Sequence, residues 1–207
     1  MDWSPSRRDV LRAVATGITA AVAGCSFYNP KADVDTPDPN PTATTPTPRP
    51  MDPIDATHGP EWNEAATIER TVFERVNEAR RTRDLEEYAR DVELAYMAKA
   101  HCQDMAQRDY FAHESPDGEG VNDRMRAYGL DSTYFSVTEN LVKFHINDDA
   151  TKASVAERMI QLWKESDPHW ETITGTINDR AGVGVYITEE RTLYGAIVFG
   201  KLRDPEP

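Results

Sequence analysis

Residues 181–201, AGVGVYITEERTLYGAIVFGK, contain two short apolar runs, Ala181 to Thr188 and Thr192 to Lys201, separated by Glu189-Glu190-Arg191. β-branched and aromatic residues dominate both runs, and the charged tripeptide between them is too short for anything but a turn, so the spacing predicts a β-hairpin. Upstream, the apolar period changes from strand-like to helical. Ile68, Val72, Phe73, Val76 and Ala79 recur at helical spacing between Glu61 and Arg81, and Leu94, Met97, Ala98, Cys102, Met105 and Ala106 do so between Val92 and Arg108. A short helix is expected over Val121 to Tyr128, after the Ser115-Pro116-Asp117-Gly118 turn and before Gly129. A third long helix spans Ala150 to Glu165, with Val155, Met159, Leu162 and Trp163 on one side. Phe135 to Phe144 reads as a strand in which Thr138-Glu139-Asn140 breaks the apolar alternation. The helices are too numerous for one face of a small sheet. The expected fold is therefore α/β, an α/β/α sandwich with a small, mainly antiparallel central sheet.

The folded domain is expected over 61–207, a length sufficient for one core, and no internal repeat is visible. Between Ser26 and Pro60 there are nine prolines and six threonines with little to pack. Residues 25–60 read as an extended tether, reaching at most about 3.1 Å per residue. Ahead of it, residues 1–24 read as a signal peptide. The order Ser6-Arg7-Arg8-Asp9-Val10-Leu11-Arg12 resembles the twin-arginine export motif, and the apolar run Ala13 to Ala23 is too short to span a bilayer. Val22-Ala23-Gly24-Cys25 resembles a lipoprotein box, which makes Cys25 the lipidation site and membrane anchor. The alternative is a plain small-residue cleavage site with an incidental cysteine.

Cleavage there removes three basic and two acidic residues, so the mature chain is more acidic than its precursor of net charge −13. That charge argues against nucleic acid and anionic membrane surfaces as partners, because both would be repelled. Six lysines against nineteen aspartates favour a halophilic host, where carboxylates stay hydrated and their repulsion is screened, over acidity that serves solubility alone. If Cys25 carries lipid, Cys102 has no intramolecular partner, and the core must supply the stability that disulfides supply in many exported proteins.

Four polar interruptions carry the candidate chemistry: Phe111-Ala112-His113-Glu114-Ser115, Thr138-Glu139-Asn140-Leu141, Trp163-Lys164-Glu165-Ser166 and Asp167-Pro168-His169-Trp170. With Asn77-Glu78-x-Arg80, Asp123-Arg124 before Tyr128-Gly129, and Gly182-Val183-Gly184-Val185, they resemble, in order, the CAP superfamily of cysteine-rich secretory, antigen 5 and pathogenesis-related proteins. The prokaryotic SCP-like members are the most similar. The resemblance covers nearly all of Ile68 to Gly200 and implies an α/β/α sandwich whose cleft gathers His113, Glu139 and His169. A fourth cleft glutamate of the eukaryotic proteins has Glu165 as its nearest candidate, one position before the slot that Ser166 fills.

Two imidazoles and a carboxylate suit a divalent cation, zinc above all, but these three are far apart in sequence and only the fold can assemble them. The alternative is a buried His-Glu-His hydrogen-bond network without metal. His101 reads as a packing residue of the second helix, His58 belongs to the tether, and His145 matches no motif. Cys102 reads as a small core residue, and Trp163 and Trp170 as packing around the second histidine.

The expected function is an extracytoplasmic, membrane-anchored binding module, non-catalytic, with a lipid, peptide or glycan as ligand. The resemblance implies such roles, sterol and fatty-acid binding recurring among eukaryotic members. The competing reading is a hydrolase, using a cleft metal or a histidine-activated Ser115 or Ser166, although no nucleophile elbow is present. A purely structural envelope component is the third.

Overall fold

Alternation along strands and 3.6-residue periodicity along helices divide the apolar side chains into two layers, one on each side of a single sheet. The computed structural model describes residues 61–204. In chain order these form α1 (Glu61–Arg81), β1 (Ala89–Arg90), α2 (Val92–Gln107), α3 (Val121–Ala127), a single 3-10 turn (Leu130–Ser132), β2 (Tyr134–His145), α4 (Lys152–Lys164), α5 (Asp167–Thr174), β3 (Arg180–Ile187) and β4 (Thr192–Leu202). The expected hairpin is β3–β4. Arg7, Arg8, Cys25, the tether and His58 lie outside the described residues.

The sheet order is β1-β3-β4-β2, with β1 parallel to β3 and the other two pairings antiparallel. One layer holds α1, α4 and α5 over Val183, Val185, Leu193, Ile197 and Phe199. The other holds α2 and α3 over Val137, Leu141, Ala196 and Val198. This is the expected α/β/α sandwich. The sequence reading ended the third long helix at Glu165, as observed, but missed two-residue β1 and the short α5. α5 starts anew after that end, with Ser166 as its N-cap and Pro168 in its first turn.

Local chemistry sets the helix starts. Asp91 caps α2 by accepting from the amides of Glu93 and Leu94, and Thr151 caps α4 in a reciprocal bond with Ser154. Gly129, at φ 69°, ends α3 in the left-handed region that glycine enters without strain. Gly182 and Gly184 do different work. A Cβ on either would lie inside the backbone of Ala95 or Lys99, so the two glycines let α2 rest directly on β3.

Strand edges decide what else can happen in a sheet. On β3 the edge beyond β1 is closed by Glu69 of α1, whose carboxylate accepts from the Val185 amide at 3.0 Å and from Lys99 of α2 at 3.2 Å. That buried pair clasps the two helical layers across the edge and blocks strand addition there. The opposite edge of the sheet is β2, and it carries the candidate site.

Candidate functional site

On β2, neighbouring side chains point to opposite faces. Glu139 pairs across to Val198 in the α2/α3 layer, and Asn140 to Ile197 in the other. The polar interruption in the sequence is thus one residue committed to each layer. Each reaches one histidine segment.

Glu139 has 2% of its side chain exposed. Its Oε1 accepts from Arg124 Nη2 at 2.7 Å and from His113 Nδ1 at 3.2 Å, and His101 Nε2 stands 3.9 Å away. An ionised carboxylate can only accept, so His113 donates its Nδ1 proton and presents Nε2 elsewhere. Burial works against the Glu139 charge, but the His113 hydrogen bond and the Arg124 guanidinium outweigh it and hold its carboxyl below the usual range. The pairing is one-sided: Glu139 Oε2 and Arg124 Nε are both buried without a partner among the described residues.

Two further side chains position His113 through its backbone. Arg124 Nη1 donates to the carbonyls of His113 at 3.2 Å and Glu119 at 3.0 Å. His101 Nε2 bonds the carbonyl of Ala112 at 3.1 Å, which requires the proton on Nε2. Burial pushes the His101 pKa down to about 4, against the pull of Glu139, so the ring is neutral at ordinary pH. Sequence reasoning left both residues out of the cleft. Yet Arg124 shares helical spacing with the apolar Val121, Met125 and Tyr128, and His101 falls on the buried stripe of α2. A polar residue on an apolar stripe was the available signal.

On the other side of β2, Asn140 Nδ2 donates to the carbonyl of His169 at 2.8 Å and so holds the first turn of α5. The half-buried His169 ring has its pKa lowered by burial and then by the charge of His113. Trp163 is fully buried and its indole donates to the Leu141 carbonyl at 3.3 Å. Trp170 is half-buried, with Arg83 and Lys164 over its ring. The structure thus brings His113 and Glu139 into contact and sets His169 on the far side of the same strand.

Glu165 stands apart from that contact. It is exposed at the C-cap of α4 and accepts from the Gln161 amide at 3.2 Å. Ser115 is buried and its Oγ accepts from the amides of Asp117 and Glu119, each at 3.2 Å, as a turn residue does. His145 is exposed at the end of β2. Cys102 is fully buried and bonds the Gly184 carbonyl, with its thiol pKa raised by burial. Among the described residues, no three His, Cys, Asp or Glu side chains are arranged to hold a metal ion. Of the expected His113, Glu139 and His169 ligand set, Glu139 Oε1 is engaged by Arg124 and His113, and Oε2 is buried without a partner among the described residues.

Two cavities lie away from these residues. One, of about 370 Å³, has Ile68, Ile146, Val155 and Ile187 as its floor and Lys152 and Arg191 at its rim. The other, of about 430 Å³, is polar and lined by Arg80, Glu86, Asn178 and Asp179 among others.

The chain is 28% identical over 119 residues to the uncharacterized protein YkwD of Bacillus subtilis, covering 58% of this chain and 42% of that protein. The fold is similar to that of an outer surface protein of Borrelia burgdorferi, at TM-score 0.57 and 19% identity, covering 66% of this chain and 93% of that one. It is also similar to an SCP-domain extracellular protein of Bacillus anthracis, at TM-score 0.55 and 24% identity, covering 66% of this chain and 41% of that one. The chain spans less than half the length of the two Bacillus proteins it matches. Residues 73–199 match the model of the CAP, cysteine-rich secretory protein family, and the chain belongs to that family.

Proposed function

We propose that this is an extracytoplasmic, membrane-anchored binding module, exported through Arg7 and Arg8, lipidated at Cys25, and non-catalytic at its cleft. The observation that carries this reading is the state of Glu139. Its carboxylate is sequestered, held by Arg124 and His113, with 2% of the side chain exposed. A general base or nucleophile needs reach to a substrate proton or carbon, whereas here Oε1 is engaged by Arg124 and His113 and Oε2 is shut away from solvent. Ser115 is equally committed to its turn. Among the described residues, neither Ser115 nor Ser166 is bonded to an imidazole, as an activated nucleophile requires.

A divalent cation, zinc by the softness of its donors, enters this reading only through two imidazoles. His113 keeps Nε2 free because Nδ1 engages Glu139, and His169 is kept neutral by burial. Glu139 then acts as the carboxylate that orients a ligating histidine, not as a ligand. Two nitrogens with Arg124 behind them fit a weak site and not a tightly held structural metal. A lipid is the second ligand class, favoured by the isoleucine-floored cavity of about 370 Å³ between α1 and α4.

The deciding experiment is metal analysis of the purified chain beside His113→Ala and His169→Ala variants, each measured for stability and for hydrolysis of peptide and ester panels. The expected result is no turnover by any form. Turnover lost in a still-folded His169→Ala variant overturns the proposal in favour of a hydrolase.

A further inference from the structure

The cavity of about 370 Å³ lies where α1, the start of α4 and the β3–β4 turn meet. Ile68, Ile146 and Val155 form a buried floor, and half-buried Ala150 and Ile187 line the mouth. Charges at the rim are mixed: Lys152 and Arg191 stand against Glu189, with Asp148 and Asp149 in the approach to α4. Arg191 is occupied by the carbonyls of Ile146 at 3.2 Å and Asn147 at 2.8 Å. Lys152 opens α4, is exposed, and has no carboxylate partner among the described residues. Such a site suits an apolar occupant with at most a carboxylate or two beside Lys152, not a highly charged one.

The chain itself carries a segment of that character close by. Pro50-Met51-Asp52-Pro53-Ile54-Asp55 sets a proline, an apolar residue and an aspartate in the same order twice. Polyproline II has three residues per turn, so in that conformation Met51 and Ile54 share one face about 9 Å apart, and Asp52 and Asp55 share another. Apart from proline, Val34, Met51 and Ile54 are the only apolar residues larger than alanine in 29–60. Reach is sufficient. Ile68 lies seven residues into α1, about 10 Å along the helix from Glu61. The seven residues from Ile54 to Glu61 can span up to about 23 Å, with Gly59 among them to permit a reversal.

We propose that residues 50–55 of the tether seat in this cavity, with Met51 and Ile54 packed on Ala150, Ile187 and the floor beneath them and the aspartate face turned to solvent and Lys152. The inference goes beyond the binding reading and does not involve His113, Glu139 or His169. It makes the chain its own occupant of the apolar cavity, which a lipid must vacate before it can enter. The contact needs little intrinsic affinity, because a short connection keeps the segment at an effective concentration on the order of millimolar. Seating also shortens the leash, leaving residues 26–49 to span at most about 75 Å.

The test uses NMR of the full chain with Cys25→Ser, labelled at its isoleucine and methionine methyl groups, in buffer without detergent. The expected result is nuclear Overhauser contacts from the Met51 and Ile54 methyls to those of Ile146 and Ile187. Met51→Ser with Ile54→Ser should shift the Ile146 and Ile187 signals and leave Ile173, beside Arg80 at the other end of α1, unmoved. A fluorescent sixteen-carbon fatty acid, used as a probe, should bind that double variant roughly tenfold more tightly than the parent. Absent contacts, Ile146 and Ile187 signals indifferent to the double variant, or equally tight probe binding by both forms, overturn the proposal. A probe that binds neither form while the contacts are present supports it and removes only the lipid reading of the cavity.

Discussion

Replacing Arg124 by Met tests the architecture of the cleft most directly. The guanidinium donates one charged hydrogen bond to Glu139 and two to the carbonyls of His113 and Glu119. At about 2 kcal/mol for the charged bond and about 1 kcal/mol for each of the others, the loss comes to about 4 kcal/mol. That agrees with the roughly 3–5 kcal/mol lost when one member of a buried ion pair is removed and the other stays. With domain stability of roughly 5–15 kcal/mol, the variant should still fold. Urea denaturation of the full chain at pH 7, followed by tryptophan fluorescence, should show the midpoint lowered by about 2 M at an m-value near 2 kcal/mol/M. Glu139→Gln alone strands the guanidinium and should also destabilise. In Arg124→Met with Glu139→Gln no buried charge is left behind, and the double variant should be about 2 kcal/mol more stable than the sum of the single losses. A loss under about 1 kcal/mol for Arg124→Met, or additive single losses, would mean that solvent screens the pair and that Glu139 is free for chemistry.

Gly184→Ala should cost about 3 kcal/mol or more, because its Cβ would meet the backbone of Lys99, whereas Gly120→Ala, whose Cβ meets only the Asp123 carboxylate at 3.5 Å, should cost about 1 kcal/mol or less; thermal melts check the contrast. Stability should fall on acidification from about pH 6.5 towards pH 4. The unfolded chain protonates His101 near its ordinary value of 6.5 while the folded chain resists to about 4, and the decline should be shallower in His101→Gln. A slope unchanged by that substitution would reassign it to other groups. Cys25→Ser should move the protein from the detergent phase to the aqueous phase in a partitioning assay, and Arg7→Lys with Arg8→Lys should stop export. Unchanged partitioning, or normal secretion, would refute the corresponding assignment.

Much of this protein is legible in its sequence because the signals are local. Helical spacing in Ile68 to Ala79 and Leu94 to Met105, the charged turn between β3 and β4, and the stop at Gly129 each depend on residues within a few positions of one another. The two-residue β1 was invisible because a strand that short has no period, and its existence depends on Arg180 and Ala181 arriving beside it. The end of α4 at Glu165 was legible, whereas α5 needed the capping position at Ser166. His113, Glu139 and His169 were legible as candidates, being polar groups inside structural segments, but their roles were not. Whether a carboxylate is a metal ligand, a base or a bracket depends on what surrounds it in space. Only the tertiary structure set Arg124 and His101 against Glu139 and turned its carboxylate away from solvent. The physical reason is that pairing and burial are long-range properties, whereas sequence periodicity records only which face of its own element a residue occupies.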